Sequence, residues 1–398
     1  MPIFELIIIS MLLLVSTAIA FFITPFIIKL AKKIDLMDIP ADERRMHHEP
    51  IPLLGGLSII AAFIVTSIFA CLIVLRYFDI TYLHTLQMLL IQILPGAIII
   101  AGVAFIDDKV DLPAWPRLIM QFVAAGITVA LGVRIQFISG SVSLFGAQTF
   151  DLGWLSIPIT VLWIVGVTNA LNWIDGLDGL AAGTSSIAAV SMLLIAVFQH
   201  QPQFIVALLT AALAGGCIGL LPYNRHPAKI FMGDTGAMFL GFTLAVISIQ
   251  GLFKFYAAIS FSVPLLVLGL PLFDTATAII RRLAEGKSPF TADRNHIHHK
   301  LIDLGLSQNQ AVIILYSISI VLGIVALLFT IFGTIIGWRF MFAGTVLISV
   351  IFLSLLAIFR KTNQKNAADA AADIKSEIDE ENKSITEKET KDNTKNGE

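Results

Sequence analysis

The chain has 398 residues, of which 57% are apolar and only 14% are charged, and its formal net charge is −2. Soluble globular proteins contain roughly 45–50% apolar and about 25% charged residues, so a water-soluble enzyme and a disordered chain are both excluded. Two cysteines cannot form a disulfide scaffold, and the small net charge gives no reason to expect nucleic acid as a partner. The composition therefore predicts an all-α polytopic membrane protein.

Eleven apolar segments are long enough to cross the bilayer, since a membrane helix needs about 20 mainly apolar residues. We predict spans near residues 3–28, 53–75, 88–106, 117–133, 155–173, 179–198, 203–221, 236–251, 256–280, 311–331 and 335–359. The first segment is too long for a signal peptide and has no small-residue cleavage site. A transmembrane β-barrel is excluded because the apolar runs are continuous rather than alternating.

The basic residues indicate the direction of the spans. The odd-numbered loops contain 14 Lys and Arg, whereas the even-numbered loops contain 4. The positive-inside rule therefore predicts an outer N-terminus and a cytoplasmic C-terminus. Residues 1–359 form the predicted transmembrane domain. Residues 360–398 mix acidic and basic side chains with few apolar ones, which predicts a disordered cytoplasmic tail.

Carboxylates collect on the same predicted face as the cations. Asp107 and Asp108 end the third span, and adjacent like charges generally need a cation, a shared proton or a basic substrate group. Asp175 and Asp178 lie three positions apart after the fifth span, so one helical turn would place both on one face. Asp234 stands alone before the eighth span, in Gly233-Asp234-Thr235-Gly236.

These acids are accompanied by side chains that suit phosphate. The fifth predicted cytoplasmic loop contains Arg294, His296, His298 and His299, and cationic or protonatable groups bind phosphates well. Hard oxygen ligands suit Mg²⁺ bound together with a phosphorylated substrate, and Mn²⁺ is an alternative. For the histidines, zinc binding and a purely structural loop stay open as alternatives.

Four motifs resemble one family of membrane enzymes. They are Asp107-Asp108, the stretch from Asn169 to Ala181 that includes Asn172, Phe231-Met232-Gly233-Asp234-Thr235-Gly236, and His296-Ile297-His298-His299. Together they resemble the polyprenyl-phosphate N-acetylhexosamine-1-phosphate transferases, the family of MraY, WecA and TagO, over roughly residues 1–335. The histidine loop and the eleven spans are most similar to the WecA/TagO branch.

The resemblance implies a reaction, a metal and a set of residue roles. UDP-GlcNAc and undecaprenyl phosphate would give undecaprenyl-diphospho-GlcNAc and UMP, with Mg²⁺, on the cytoplasmic face of a bacterial cell membrane. The implied catalytic residues are Asp107, Asp108, His298 and His299, and the implied metal ligand is Asp234. The implied substrate-binding residues are Asn172, Asp175, Asp178, Asn224, Phe231, Arg294, His296 and Arg117.

One position departs from the family pattern. Arg117 occupies a site where relatives often have Lys, and Arg keeps the charge but not the geometry of the ammonium group. Arg117 is thus a substrate-binding position at which this chain differs from the family pattern.

Several alternatives stay open at this level. The donor could be another UDP-sugar, and the glycan could be wall teichoic acid, which we favour, or O-antigen, an enterobacterial-type antigen or peptidoglycan. A homodimer and a covalent intermediate are not excluded. A polytopic transporter is the alternative from another class, but it should carry ionisable residues near the bilayer midplane, and only Asp274 qualifies. Asp274 needs either an internal partner or a water-filled space near it.

Overall fold

The computed structural model describes residues 1–39, 49–139, 149–251, 262–288 and 296–336. Most of these residues form α-helices, which agrees with the predicted all-α polytopic class. The eleventh predicted span, the tail and Arg294 lie outside the described residues.

Twelve helices occur in the described ranges. They are α1 (Ile3–Lys33), α2 (Gly56–Tyr77), α3 (Ile80–Val110), α4 (Ala114–Ala130), α5 (Ser156–Ile174), α6 (Leu180–Phe198), α7 (Phe204–Asn224), α8 (Gly233–Gly251), α9 (Ser262–Val267), α10 (Gly269–Ala284), α11 (Ile297–Asp303) and α12 (Gln308–Ile336). Within these ranges, seven helical segments are long and apolar enough to cross a membrane, and α4 is a shorter apolar helix.

The ninth predicted span is not one continuous helix where the structure describes it. Its described part consists of α9 and α10, which are separated at Leu268. Gly269 and Pro271 follow this break, and both residue types weaken a helix interior. The apolar composition of the segment therefore predicted a membrane segment without revealing the interruption.

Two short antiparallel strand pairs add to the helical fold. Met37–Asp38 (β1) pairs with Ile51–Pro52 (β2), and Phe137–Ser139 (β3) pairs with Thr149–Asp151 (β4). Strands of two or three residues are too short to show an alternating pattern, so the sequence did not predict them.

Small residues allow the inner helices to approach each other closely. A Cβ atom on Gly215 or Gly219 of α7 would lie within about 2.5 Å of backbone oxygens of α1, and Ser16 of α1 donates a hydrogen bond to the carbonyl of Ala212. Almost every residue of α8 is buried, because this helix packs against α3 and α5 in the centre of the bundle.

Candidate active site

A cavity of about 1200 Å³ opens at one end of the helix bundle. The C-terminal ends of α1, α3, α5 and α7 meet the N-terminal end of α8 there, and the β1–β2 pair forms part of its rim. Nine of the predicted site residues line it: Asp107, Asp108, Arg117, Asp175, Asp178, Asn224, Phe231, Asp234 and His299. The fold therefore gathers side chains that lie far apart in the sequence.

Asp108 joins the end of α3 to the start of α8. Its Oδ1 accepts the backbone N–H of Asp234 at 2.8 Å, and its Oδ2 accepts the N–H and the hydroxyl of Thr235 at 3.0 and 2.6 Å. The first N–H groups of a helix have no partner within the helix and carry partial positive charge, so a carboxylate stabilises this end. The arrangement supports an anchoring role for Asp108 beside the catalytic role predicted from the sequence.

Gly233 makes this junction sterically feasible. Its φ is +73°, a conformation that side chains disfavour, and a Cβ atom there would lie 2.8 Å from an Asp108 carboxylate oxygen. The glycine before Asp234 in the sequence motif is thus explained by the approach of Asp108.

Arg117 links two of the site carboxylates. One guanidinium nitrogen, Nη1, donates to Asp107 Oδ2 and to Asp234 Oδ2, the second at 3.1 Å. The other oxygen of Asp107 accepts the Leu112 N–H at 2.7 Å, and Asn172 donates to Asp234 Oδ1 at 2.8 Å. Arg117 therefore places one positive charge between Asp107 and Asp234, and it holds α4 against the ends of α3 and α8.

Asp175 and Asp178 do not lie on one helical turn, contrary to the prediction from their spacing. Helix α5 ends at Ile174, and both residues lie in the connection to α6. Asp178 Oδ2 lies 2.8 Å from His226 Nδ1 and accepts the Ala228 N–H at 3.0 Å, so it fixes the loop that follows α7. Gly176, Gly179 and the left-handed φ of the latter favour a turn here over a helix.

The carboxyl group of Asp175 is in a strongly unfavourable environment for negative charge. Burial first, and then the charges of Asp234, Asp108 and Asp178, raise its pKa to about 8.

In the described ranges no three His, Cys, Asp or Glu side chains converge in an arrangement that holds a metal by themselves. Mg²⁺ commonly uses only one or two carboxylates and completes its shell with water and substrate phosphates. Asp175 and Asp234 fit such a site, because the excess negative charge around Asp175 favours a cation.

The histidine loop is anchored on the side of the cavity. Asp274 of α10 accepts the Ile297 N–H at 2.8 Å, and its other oxygen lies 2.8 Å from His296 Nδ1. Asp274 therefore has the internal partner that the sequence analysis named as one of two alternatives. His296 and His298 are both buried and their rings are stacked, whereas the next residue, His299, lines the cavity.

His298 packs directly against the loop that carries Asp175. A Cβ atom on Gly176 would lie 2.3 Å from His298 Nε2, so only glycine allows this contact. Burial, and secondarily His299, lower the pKa of His298 to about 3, which makes the ring neutral near pH 7. This places a neutral histidine behind the acidic loop, rather than a cation facing the cavity.

Asn224 was predicted from the sequence, whereas three further cavity residues were not. Asn224 is buried and donates to the Ile230 carbonyl at 2.9 Å, which orders the loop before α8. Lys32, Lys229 and Gln308 also line the cavity. Basic residues near helix ends are common in membrane proteins, so the sequence contained no signal that separated these two lysines from the others.

Known proteins similar to this chain point to one family. Residues 89–252 match the family model described as glycosyl transferase family 4. A probable undecaprenyl-phosphate N-acetylglucosaminyl 1-phosphate transferase of Bacillus subtilis (strain 168) is 38% identical over 345 residues, which are 86% of this chain and 90% of that protein. The undecaprenyl-phosphate alpha-N-acetylglucosaminyl 1-phosphate transferase of Escherichia coli (strain K12) is 30% identical, with 72% of this chain and 74% of that protein covered. A phospho-N-acetylmuramoyl-pentapeptide-transferase of Halalkalibacterium halodurans is 29% identical, with 79% and 95% covered.

A helical membrane bundle with a charged cavity at its end, and similarity to the transferases named above, define a polytopic membrane transferase. The chain belongs to glycosyl transferase family 4. The resemblance inferred from the four motifs is thereby confirmed, and the transporter alternative is wrong.

Proposed function

We propose that the chain transfers GlcNAc-1-phosphate from UDP-GlcNAc to undecaprenyl phosphate, giving undecaprenyl-diphospho-GlcNAc and UMP. The observation that carries the proposal is the cavity in which Arg117, Lys32 and Lys229 accompany Asp107, Asp175 and Asp234. Cations next to candidate metal ligands suit two phosphorylated substrates. The Bacillus and Escherichia relatives carry names that describe this transfer.

In the proposed reaction an oxygen of the lipid phosphate attacks the β-phosphorus of UDP-GlcNAc directly. A new P–O bond forms to the lipid phosphate, and the bond from the β-phosphorus to the bridging oxygen breaks, releasing UMP. A phosphate monoester is largely ionised near pH 7, so the attack needs no strong base. Both oxygens of Asp108 already accept hydrogen bonds, which suits a residue that positions Asp234 more than one that removes a proton.

The remaining residues of the chain position charge. Asp175 and Asp234 would hold Mg²⁺, with Mn²⁺ as an alternative, and the ion would neutralise the charge that develops on the transferred phosphoryl group. Arg117 and Asn172 hold Asp234 in place, and we assign the cavity lysines and His299 to the phosphates. Phe231 at the cavity wall would stack on uracil.

The orientation in the membrane follows from the same proposal. The cavity lies at the helix ends that carry most of the Lys and Arg outside the tail, which supports a cytoplasmic site and eleven spans with the N-terminus outside. The product would enter a cell-envelope glycan, with the linkage unit of wall teichoic acid as our first assignment. A homodimer is compatible with this function and is not required by it.

A membrane assay tests the proposal and its main alternatives. Membranes containing the chain are given undecaprenyl phosphate, Mg²⁺ and either UDP-GlcNAc, UDP-GalNAc or UDP-MurNAc-pentapeptide, and lipid-linked products are measured. We expect transfer from UDP-GlcNAc and at least tenfold less from the others. Comparable transfer of the muramyl-pentapeptide would contradict the assigned donor. UMP exchange into UDP-GlcNAc without lipid phosphate, at a rate near turnover, would contradict direct attack.

A further inference from the structure

The loop between α5 and α6 lines the active-site cavity with four consecutive residues, from Asp175 to Asp178. We call residues 175–179 the acidic loop. It carries Asp175, one of the two candidate metal ligands, and it is not helical. Loops are more mobile than the elements that they connect, so contacts with other parts of the chain decide where these carboxylates lie.

Contacts with two other segments hold the first part of the acidic loop. His298 of α11 packs against Gly176, and Asp178 bonds to the loop that follows α7. Neither contact involves Gly179, the residue at which the acidic loop joins α6. That end of the loop is contacted by a third element, α12.

Tyr316 of α12 contacts the acidic loop through its hydroxyl group. Its Oη donates a hydrogen bond to the carbonyl oxygen of Gly179 at 2.5 Å, across 137 positions of the sequence. The same carbonyl accepts the N–H of Gly183 at 2.9 Å, which is the bond with which α6 begins. Tyr316 thus joins α12 to the point at which the loop becomes a helix.

The close approach of α12 to α6 keeps Tyr316 in this place. A Cβ atom on Gly183 would overlap the Tyr316 ring. Further along the same two helices, a Cβ atom on Gly323 would overlap the hydroxyl group of Ser191. These two places are eight residues apart on α6 and seven residues apart on α12. The helices therefore run side by side in the same direction, in close contact over roughly 11 Å, because an α-helix rises about 1.5 Å per residue.

We propose that Tyr316 is a positioning residue: it holds the acidic loop at Gly179, so that the carboxylates of this loop keep the arrangement in which UDP-GlcNAc and its metal bind. The inference rests on the proposed function. Tyr316 does not line the active-site cavity, so it acts through the loop and touches no substrate. A loop without this contact has to be ordered when the substrate binds, and that ordering lowers the affinity.

Tyr316→Phe removes the contact and leaves the fold intact. The Gly179 carbonyl keeps its bond with the Gly183 N–H, so no buried acceptor loses its last partner, which would be the costly case. The phenylalanine ring also keeps the packing against Gly183. The variant therefore tests the position of the loop and not the stability of the bundle.

We expect Tyr316→Phe to raise the KM for UDP-GlcNAc at least fivefold, because only part of the population then has the loop in the binding arrangement. The KM for undecaprenyl phosphate should stay within twofold of wild type. The kcat should change less than the KM for UDP-GlcNAc, because the bound nucleotide orders the loop. Gly183→Ala, which displaces the ring, should give the same pattern, and the double variant should not multiply the two effects.

Two control variants make matched changes elsewhere. Tyr82→Phe removes a phenolic hydroxyl in the first turn of α3, at the end of this helix that lies away from the active-site cavity. Gly166→Ala adds a methyl group on α5, where a Cβ atom would meet no heavy atom within 4 Å. Both variants should keep the wild-type KM values and melting temperature.

Hydrogen–deuterium exchange measures the loop without turnover. In the purified full chain without substrate, we expect the amides of residues 175–183 to exchange at least fivefold faster in Tyr316→Phe than in wild type, at an equal melting temperature. Wild-type exchange in this segment, or a wild-type KM for UDP-GlcNAc, would overturn the positioning role. Faster exchange in the variant, combined with no transfer from any UDP-sugar by wild type, would instead overturn the proposed reaction and leave Tyr316 as the residue that holds the loop.

Discussion

Arg117 presents the same nitrogen atom to two carboxylates, Asp107 and Asp234. The contact requires only one positively charged donor atom. It does not use the bidentate geometry that distinguishes arginine from lysine. An ammonium group could occupy that position, so a lysine could make the same two contacts.

We therefore predict that Arg117→Lys retains turnover within about tenfold of wild type, whereas Arg117→Ala loses at least about a hundredfold. Loss of the cation leaves Asp107 and Asp234 without their common partner, and about 1.4 kcal/mol of transition-state stabilisation corresponds to a factor of ten. Turnover is measured in membranes at saturating substrates. A Lys variant as inactive as the Ala variant would show that the guanidinium geometry matters.

Asp234 is the residue on which the candidate metal site depends most. We predict that Asp234→Asn abolishes turnover at every Mg²⁺ concentration tested, because the neutral amide removes charge that binds the cation and also breaks the contact with Arg117. Asp79→Asn is the control, since Asp79 is exposed at the opposite end of α3 and should tolerate the change. Recovery of the Asp234 variant at high Mg²⁺ would argue for a ligand elsewhere.

At the scale of the element, the junction between α3 and α8 combines a helix end, a carboxylate and a glycine with positive φ. The sequence predicted that Asp234 starts a helix and that Asp107 and Asp108 end one, because both patterns are local. It could not predict that Asp108 accepts hydrogen bonds from the start of α8, since the partners are 126 positions apart. For the same reason the sequence could not predict that Asp274 pairs with His296. It indicated only that a buried charge needs some partner.

A comparison of Gly233→Ala with Gly132→Ala distinguishes the effect of backbone strain from the effect of contact with Asp108. Both glycines have positive φ, but the nearest atom to a Cβ lies at 2.8 Å for Gly233, on Asp108, and at 3.6 Å for Gly132. We expect both variants to be destabilised by roughly 1–2 kcal/mol, which thermal melting in detergent would measure. Only Gly233→Ala should also lose turnover, by tenfold or more at equal amounts of folded protein. Equal turnover in the two variants would contradict the role given to the junction.

The buried histidine behind the acidic loop has a consequence for pH. Because the pKa of His298 is lowered to about 3 in the folded chain and is about 6.5 when unfolded, only the unfolded chain takes up this proton as the pH falls from about 7 to 4. His298 therefore costs stability over that window. We predict that the melting temperature of His298→Gln falls less steeply with decreasing pH than that of wild type. His84→Gln, at an exposed position, should keep the wild-type slope; an equally steep fall in His298→Gln would contradict the buried neutral ring.

At the scale of the whole molecule, composition and apolar run length predicted the class of fold, because the bilayer imposes both. Run length could not reveal the break between α9 and α10 or the short strand pairs, since these depend on local backbone preferences and on contacts across the chain. Family membership was predictable from four short motifs. The small buried cluster against which Leu53, Leu57 and Phe105 pack was not predictable, because these residues resemble any other apolar residues in sequence.

The charged C-terminal tail should be dispensable for catalysis. Residues after Lys365 contain few apolar side chains, and such segments rarely contribute to a packed core. We predict that a chain ending at Lys365 keeps turnover near the full-length value in membranes, with product formation normalised to expression as the measurement. A tenfold or greater loss at normal expression would assign the tail a role.

The bond between Asp108 and the start of α8 also sets an order of events during synthesis. With 126 positions between the partners and translation at roughly 5–20 residues per second, α3 waits on the order of ten seconds for the segment that its carboxylate contacts. During that interval α4, α5, α6 and α7 are synthesised, because they lie between α3 and α8 in the chain. A chain stalled before Gly233 would therefore contain most of the membrane helices and the Asp pair, yet no assembled site. The site is therefore complete only after α8 has been synthesised, because α8 provides Asp234 and the N–H groups that Asp108 accepts.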